Sequence, residues 1–196
     1  VTYLVHGLGY AGRVDESLAA ARAPDEALKL WLNPRSARGV LHLIDDEFDS
    51  AAALLRSVIG TASRLGILNT TAFSYAYLAR TQWMTGDWDE ALMNADKAVA
   101  INLESDFGFL RSAVVGIAVL APAARGDAAA AEAYLRLLPR SHVRYERSVT
   151  ALGLARARIG EARGRSAVGL AAREPIPAFP VRAVVEEPGL WPWPSP

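Results

Sequence analysis

The chain has no cysteine, so it can form neither a disulfide nor a thiolate metal site. It also lacks a long apolar run: the longest uncharged one, Ala113 to Ala124, has 12 residues and contains Pro122, whereas a membrane span needs about 20. The 21 basic and 21 acidic side chains cancel, which argues against the whole chain as a nucleic-acid binder. No basic and apolar leader follows Val1. We therefore expect a cytoplasmic protein that contacts neither membrane nor nucleic acid.

Alanine dominates what is present, with 37 of the 196 residues, while β-branched and aromatic residues are sparse. This composition favours helices, and a chain of this length can bury roughly 70% of its unfolded surface. The charges are unevenly spread, since residues 1–110 sum to −5 and residues 111–196 to +5. This polarity could orient a partner or a second copy, or it could simply reflect arginines on solvated helix faces.

Residues 72–106 contain the clearest periodic pattern in the sequence. Apolar side chains recur there at spacings of three and four residues, stop at Gly86 and Asp87, and then resume. This predicts two amphipathic helices joined by a tight turn. We expect Gly86 to take the left-handed conformation that ends a helix and Asp87 to cap the next helix through its side-chain oxygen.

The same residues resemble a tetratricopeptide repeat, which has a small residue in its first helix, Gly-Asp-aromatic at the turn, and Glu-Ala-Leu in its second helix. The matching positions are Ala79, Gly86 to Trp88, Glu90 to Leu92, and Ala98. Leu103 departs from the pattern, because the family often has proline there. The aromatic position of this turn predicts that Trp88 packs in the core.

Weaker copies of this turn occur along the chain, at Gly12, Asp46, Gly126 and Gly164. Including Gly86, the five turns are 34, 40, 40 and 38 residues apart. Such a period predicts an all-α protein, an α-solenoid of about five antiparallel helix pairs. We assign residues 1–173 to this repeat domain. Residues 174–196 hold seven prolines and are expected to form an irregular tail or inter-repeat linker.

The tetratricopeptide resemblance also indicates a binding groove, because first helices line the concave groove in that family. In the matching register, the side chains turned toward the groove are Phe73, Ala76, Arg80, Trp83 and Met84. A groove of this kind could hold a peptide or an amphipathic helix, with Arg80 binding a carboxylate. The alternative is that Trp83 packs against a neighbouring helix pair.

Three other patterns are typical of catalytic or ligand-binding sites, but each is a weaker signal than the repeat. Gly7, Gly9 and Gly12 form a GxGxxG pattern after an apolar run, typical of dinucleotide-binding enzymes. No acidic residue follows at the required distance, and Gly12 already fits the repeat turn. His6, His42 and His142 lack metal-ligand spacing, and residues 45–49 lack the oxygen-ligand alternation of a calcium loop. We expect these acids to cap a helix and complement its dipole, and we predict no catalytic residue, metal or cofactor.

A wider resemblance covers nearly the whole chain, and is best from about Leu68 to Trp193. It depends on the strong repeat, residues 119–127, residues 155–158 before the Gly164 turn, and the stretch around Trp191. Together these are similar to the helical-repeat region of large LuxR-type transcriptional regulators of the MalT class. Those proteins carry an ATP-binding STAND or AAA-type module before the repeats and a helix-turn-helix domain after them.

The LuxR-type resemblance implies a non-catalytic segment that senses a protein, a peptide or a small-molecule inducer and relays binding to the absent domains. Two alternatives stay open: a stand-alone repeat scaffold that binds a peptide, and a dinucleotide-binding enzyme that uses Gly7, Gly9 and Gly12.

Terminal repeats of a solenoid normally need polar caps, and residues 1–5 are largely apolar. We predict that the isolated chain self-associates through an end face, or that its Trp191 and Trp193 segment folds back over one. Light scattering should then show a homo-oligomer, or hydrogen exchange should show a protected tail. A strict monomer with a rapidly exchanging tail would contradict both.

Overall fold

A computed structural model of the chain describes residues 13, 15, 16, 19, 34–105, 108–138 and 155–164. These residues are helical and contain no strand, which confirms the all-α class. The helices are α1 (Pro34–Ile44), α2 (Phe48–Arg64), α3 (Leu68–Thr85), α4 (Trp88–Glu104), α5 (Gly108–Ala118), α6 (Leu120–Ala124) and α7 (Ala128–Leu135). Residues 155–162 are also helical. No helix within the described ranges is long and apolar enough to cross a membrane.

Four turns share one backbone arrangement: those between α1 and α2, α2 and α3, α3 and α4, and α6 and α7. The residue at the centre of each turn has a positive φ, and the N–H of the residue after it donates to the carbonyl oxygen five residues earlier, which is the Schellman closure. These bonds run from Glu47 to His42 (2.8 Å), Ile67 to Ala62 (2.9 Å), Asp87 to Gln82 (2.8 Å) and Asp127 to Pro122 (2.9 Å). The central residues are Asp46 (φ 59°), Gly66 (66°), Gly86 (85°) and Gly126 (79°).

The predicted turn at Gly86 is therefore confirmed, but the predicted role of Asp87 is wrong. Asp87 accepts no capping hydrogen bond on its side chain, so the backbone closure alone holds this turn. The equivalent residue of the next turn, Asp127, does cap its helix and accepts a hydrogen bond from the Ala130 N–H at 2.9 Å. Gly164 has φ 67°, and Gly12 lies outside the described residues.

Helix α3 is at the centre of the described part. It contacts α1, α2, α4, α5 and α6, and it is buried on nearly every side. By contrast, α2 buries one stripe at helical spacing, formed by Ala51, Leu55, Val58, Ile59 and Ala62. The main apolar core joins residues from α1 to α5, and a smaller one joins α6, α7 and the helix at 155–162. Tyr134 packs against both.

Polar side chains connect helices across the core. Ser36 on α1 and Ser74 on α3 place their hydroxyl oxygens 3.2 Å apart, and both residues are buried. The Asn94 side-chain amide of α4 donates to the Gln82 amide oxygen of α3 at 2.8 Å. Because buried polar groups are costly when unpaired, these two pairs favour one register between the helices.

Charged and phenolic groups link successive parts at the surface. Arg125 binds Asp89 at 2.5 Å, Arg163 binds Glu132, and the Tyr134 hydroxyl donates to the Asp96 carboxylate. Burial of Tyr134, together with this hydrogen bond to Asp96, raises the pKa of Tyr134 far above its ordinary value. Exposed pairs of this kind contribute little to stability but are consistent with a fixed alignment of the helices.

Substitution of Gly86 tests the importance of the turn conformation. Gly86→Ala should lower the free energy of unfolding by about 1–2 kcal/mol, because a Cβ is disfavoured at positive φ. No atom lies within 4 Å of the added Cβ, so crowding would not contribute. Urea unfolding measures the change.

Gly60, inside α2 and exposed, is the matched control. Its added Cβ would meet only the Arg64 guanidinium, at 3.9 Å. Gly60→Ala should therefore raise the free energy of unfolding by about 0.5–1 kcal/mol. Equal effects of the two substitutions would contradict the left-handed turn.

Candidate functional site

The five residues predicted to line a groove separate into two groups. Phe73 and Ala76 are only 3% and 2% exposed and belong to the main core. The Phe73 ring packs on Tyr77, with centroids 4.5 Å apart. The prediction that these two residues line a groove is wrong, because α3 is covered by other helices along its middle. The open part of the face is at the carboxyl end of α3.

Arg80, Trp83 and Met84 occupy that end. Arg80 is half-buried and makes no hydrogen bond or ion pair with another described residue. Trp83 is half-buried and Met84 is 46% exposed. Trp83 and Met84 lie on the wall of a cleft of about 500 Å³. Its lining residues are Trp83, Met84, Trp88, Ala123, Ala124, Gly126, Arg158, Glu161 and Ala162.

The cleft lies at the carboxyl ends of three helices: α3, α6 and the helix at 155–162. The lining residues of these helices can be compared by their distance in sequence from the central residue of the following turn. Met84, Ala124 and Ala162 each lie two residues before it, and Trp83, Ala123 and Glu161 lie three before it. The middle helix thus has alanines where α3 has tryptophan and methionine. The missing side-chain volume is what leaves the cleft open.

Trp88 forms part of the wall and is not a core residue as predicted. It is 37% exposed, and its indole N–H donates to the Trp83 carbonyl oxygen at 3.3 Å. That carbonyl already accepts the Gly86 N–H. The bond holds the second tryptophan against the turn, so both indoles lie beside the same cavity.

Arg158, on the helix at 155–162, also lines the cleft and interacts with Trp83. Its guanidinium carbon lies 5.6 Å from the centroid of the Trp83 ring, which is within cation–π range. The same guanidinium donates to Glu161 at 2.8 Å. The alternative predicted for Trp83, packing against a neighbouring helix, therefore holds for one face of its ring.

The remaining predicted residues have no arrangement that suggests catalysis. The His42 imidazole lies 2.5 Å from the Glu47 carboxylate, across the α1–α2 turn. Glu47 makes no side-chain cap, contrary to the expected capping role, while Asp49 lies in the first turn of α2. Among the described residues, no three metal-ligating side chains come together. His6, His142, and the glycines at 7, 9 and 12 lie outside the described part.

Sequence reasoning did not identify Arg158, Glu161 or the alanines of α6 as parts of one site. The sequence signal that could have identified them is their distance from the turn glycines. Arg80 lies six residues before Gly86, and Arg158 lies six residues before Gly164, so the two arginines have the same spacing from their turns. Aligning the turns, and not only the apolar positions, would have placed these side chains on one edge.

Comparison of the chain with protein-family models, with curated proteins and with solved structures finds no match. The cleft must therefore be interpreted from its own geometry.

A double-mutant cycle tests the contact across the cleft. The four proteins are the unsubstituted chain, Trp83→Leu, Arg158→Ala and the double variant. We expect the effects on the free energy of unfolding to be non-additive by about 0.5–1 kcal/mol, the range for a partly exposed cation–π pair. Strict additivity in urea unfolding would contradict the contact.

Proposed function

We propose that the chain is a tetratricopeptide-like α-solenoid of about five helix pairs that acts by binding a protein or peptide. Two features support this architecture. Left-handed turn residues at 46, 86 and 126 are 40 residues apart. Side-chain contacts also join residues about one repeat apart: Ser36 with Ser74, Asp89 with Arg125, and Asp96 with Tyr134. Contacts at the repeat spacing are what stacked helix pairs produce.

The cleft is the observation that carries the binding function. Its walls present two tryptophans and a methionine, residue types that are frequent where proteins meet partners. Its floor is alanine and glycine, which leaves room for an incoming side chain. Its volume of about 500 Å³ lies within the usual range for ligand pockets. Only one ion pair, Arg158 with Glu161, lies among the lining residues, so the cleft offers recognition and no set of groups for acid–base or nucleophilic chemistry.

A more specific proposal concerns the longer protein to which this chain would belong. The sequence resemblance supports a sensor segment of a LuxR-type transcriptional regulator that relays partner or inducer binding to ATPase and DNA-binding domains. The full reading frame tests this directly. It should encode a phosphate loop upstream and a helix-turn-helix downstream of these residues. Their absence would leave the stand-alone peptide-binding scaffold, with residues 174–196 as its proline-rich tail.

The dinucleotide-binding alternative is less well supported. Such a fold is built on a parallel sheet, whereas residues 34–105, 108–138 and 155–164 contain only helices, turns and bends. Titration with NAD and FAD, followed by calorimetry, distinguishes the two functions. Binding of either nucleotide that is lost in Gly9→Val would favour the enzyme.

Two exposed methionines, one lining the cleft and one outside it, allow a controlled test of whether peptides bind in the cleft. Peptides that bind the unsubstituted chain can be selected from a random phage-displayed library. Met84→Glu should then weaken the selected peptides by about tenfold or more, because it places a charge where an apolar group is buried on binding. Fluorescence anisotropy of the labelled peptide measures this affinity.

Met93→Glu is the control, since Met93 is 43% exposed on α4 and is not a lining residue. It should leave peptide affinity unchanged. If both variants bind as the unsubstituted chain does, the cleft is not the peptide site.

A further inference from the structure

Charges in the described part are divided between the first and second helices of the pairs. First helices are α1, α3, α5 with α6, and residues 155–162. Their charged residues at neutral pH are Arg35, Arg38, Arg80, Arg111, Arg156, Arg158 and one acid, Glu161. Second helices are α2, α4 and α7. They carry Arg56, Arg64, Lys97 and the acids Asp49, Asp89, Glu90, Asp96, Glu104 and Glu132. The helices whose ends form the cleft are thus the basic ones.

Two of these arginines are placed to act beside the cleft. Arg80 lies one turn before Trp83, so both side chains leave the same face of α3. No acid occurs anywhere in α3, and no described residue forms an ion pair with Arg80. Arg158, on the helix at 155–162, also lines the cleft and interacts with Trp83. A guanidinium without a partner gains most from a carboxylate, which it can bind through two hydrogen bonds.

The wall of the cleft adds a preference for an aromatic group. Trp88 is 37% exposed and offers an indole surface on which another ring can stack, and the exposed Met84 offers a sulfur that makes favourable contacts with rings. The alanine floor contributes no group that would compete with the ring. A flat apolar group therefore gains more from this cavity than an extended polar one.

We propose that the cleft and the adjoining face of α3 bind an acidic peptide segment, with an aromatic residue anchored between Trp83, Met84 and Trp88 and a carboxylate on Arg80. This inference rests on the proposed peptide-binding function and specifies its partner. Glu161 is the one acid of the lining, and its pairing with Arg158 directs the carboxylates of the peptide toward Arg80.

The experiment uses three fluorescein-labelled peptides and fluorescence anisotropy. The first has a central phenylalanine flanked by glutamates, the second replaces every glutamate with glutamine, and the third replaces the phenylalanine with alanine. We expect the first to bind about tenfold more tightly than either of the others. Added salt should weaken the first and leave the second nearly unchanged.

Two pairs of variants locate the site. Arg80→Gln should weaken the first peptide by about tenfold and leave the glutamine peptide unaffected, while Arg56→Gln, on the exposed face of α2, should change neither. Ala124→Phe should block both peptides by filling the floor of the cleft. Ala133→Phe adds the same ring at an exposed position of α7 that is not a lining residue, and it should block neither.

The outcomes separate this inference from the proposed function. If the glutamine peptide binds as tightly as the glutamate peptide and Ala124→Phe blocks it, peptide binding stands and the acidic preference is wrong. If none of the three peptides binds, both the inference and the peptide function of the cleft are overturned. If a single-stranded oligonucleotide displaces the glutamate peptide and its own binding needs Arg80, the basic face serves nucleic acid and the acidic-peptide partner is wrong.

Discussion

The backbone closure at the turns after α1, α2, α3 and α6 is the constraint on which the rest of the described structure depends. A residue in the left-handed conformation reverses the chain, and the next N–H binds back to a carbonyl five residues earlier. Each closure ends one helix and sets the direction of the next, so these helices follow one another with short connections. Because the closure uses only backbone atoms, it tolerates Asp46 at one turn and glycine at the others. It also explains why Asp87 can stand at its turn without capping the following helix.

The carboxyl ends of α3, α6 and the helix at 155–162 line one cleft. The side chains at those ends decide the shape of the surface. Helix α3 contributes Trp83 and Met84, the next pair contributes alanines, and the helix at 155–162 contributes an ion pair. The cleft thus lies where small side chains of α6 meet the large side chains of α3. The charges also differ between helices. The first and second helices of the proposed pairs can carry different net charges because these charges do not contribute to the packing of the core.

Aromatic residues that are close in the sequence differ in whether they pack in the core or line the cleft. Phe73 and Tyr77 pack within the main core, where ring contacts and apolar burial stabilise α3 among its neighbours. Further along α3, the half-buried Trp83 contacts Arg158, and Trp88, at the start of α4, is 37% exposed with its indole N–H bound to the Trp83 carbonyl oxygen. The helix therefore passes from a structural role to an exposed one along its own length. Side chains at the end of a well-packed helix are held rigidly, and the proposed binding would therefore cost less conformational entropy there.

The sequence by itself determined the helices, the Gly86 turn and the period of the turns, because these depend on local apolar spacing and on the left-handed tolerance of glycine. The predicted groove register also put Trp83 and Met84 on one face of α3, and both line the cleft, since the register of one helix is a local property. Tertiary packing decided that Phe73 and Ala76 are buried and that Trp88 is exposed, because the coverage of a helix face depends on helices elsewhere in the chain. It also decided the partner of Trp83: Arg158, far from it in the sequence, reaches that ring only because tertiary packing brings the two helices together, and no local pattern encodes that contact.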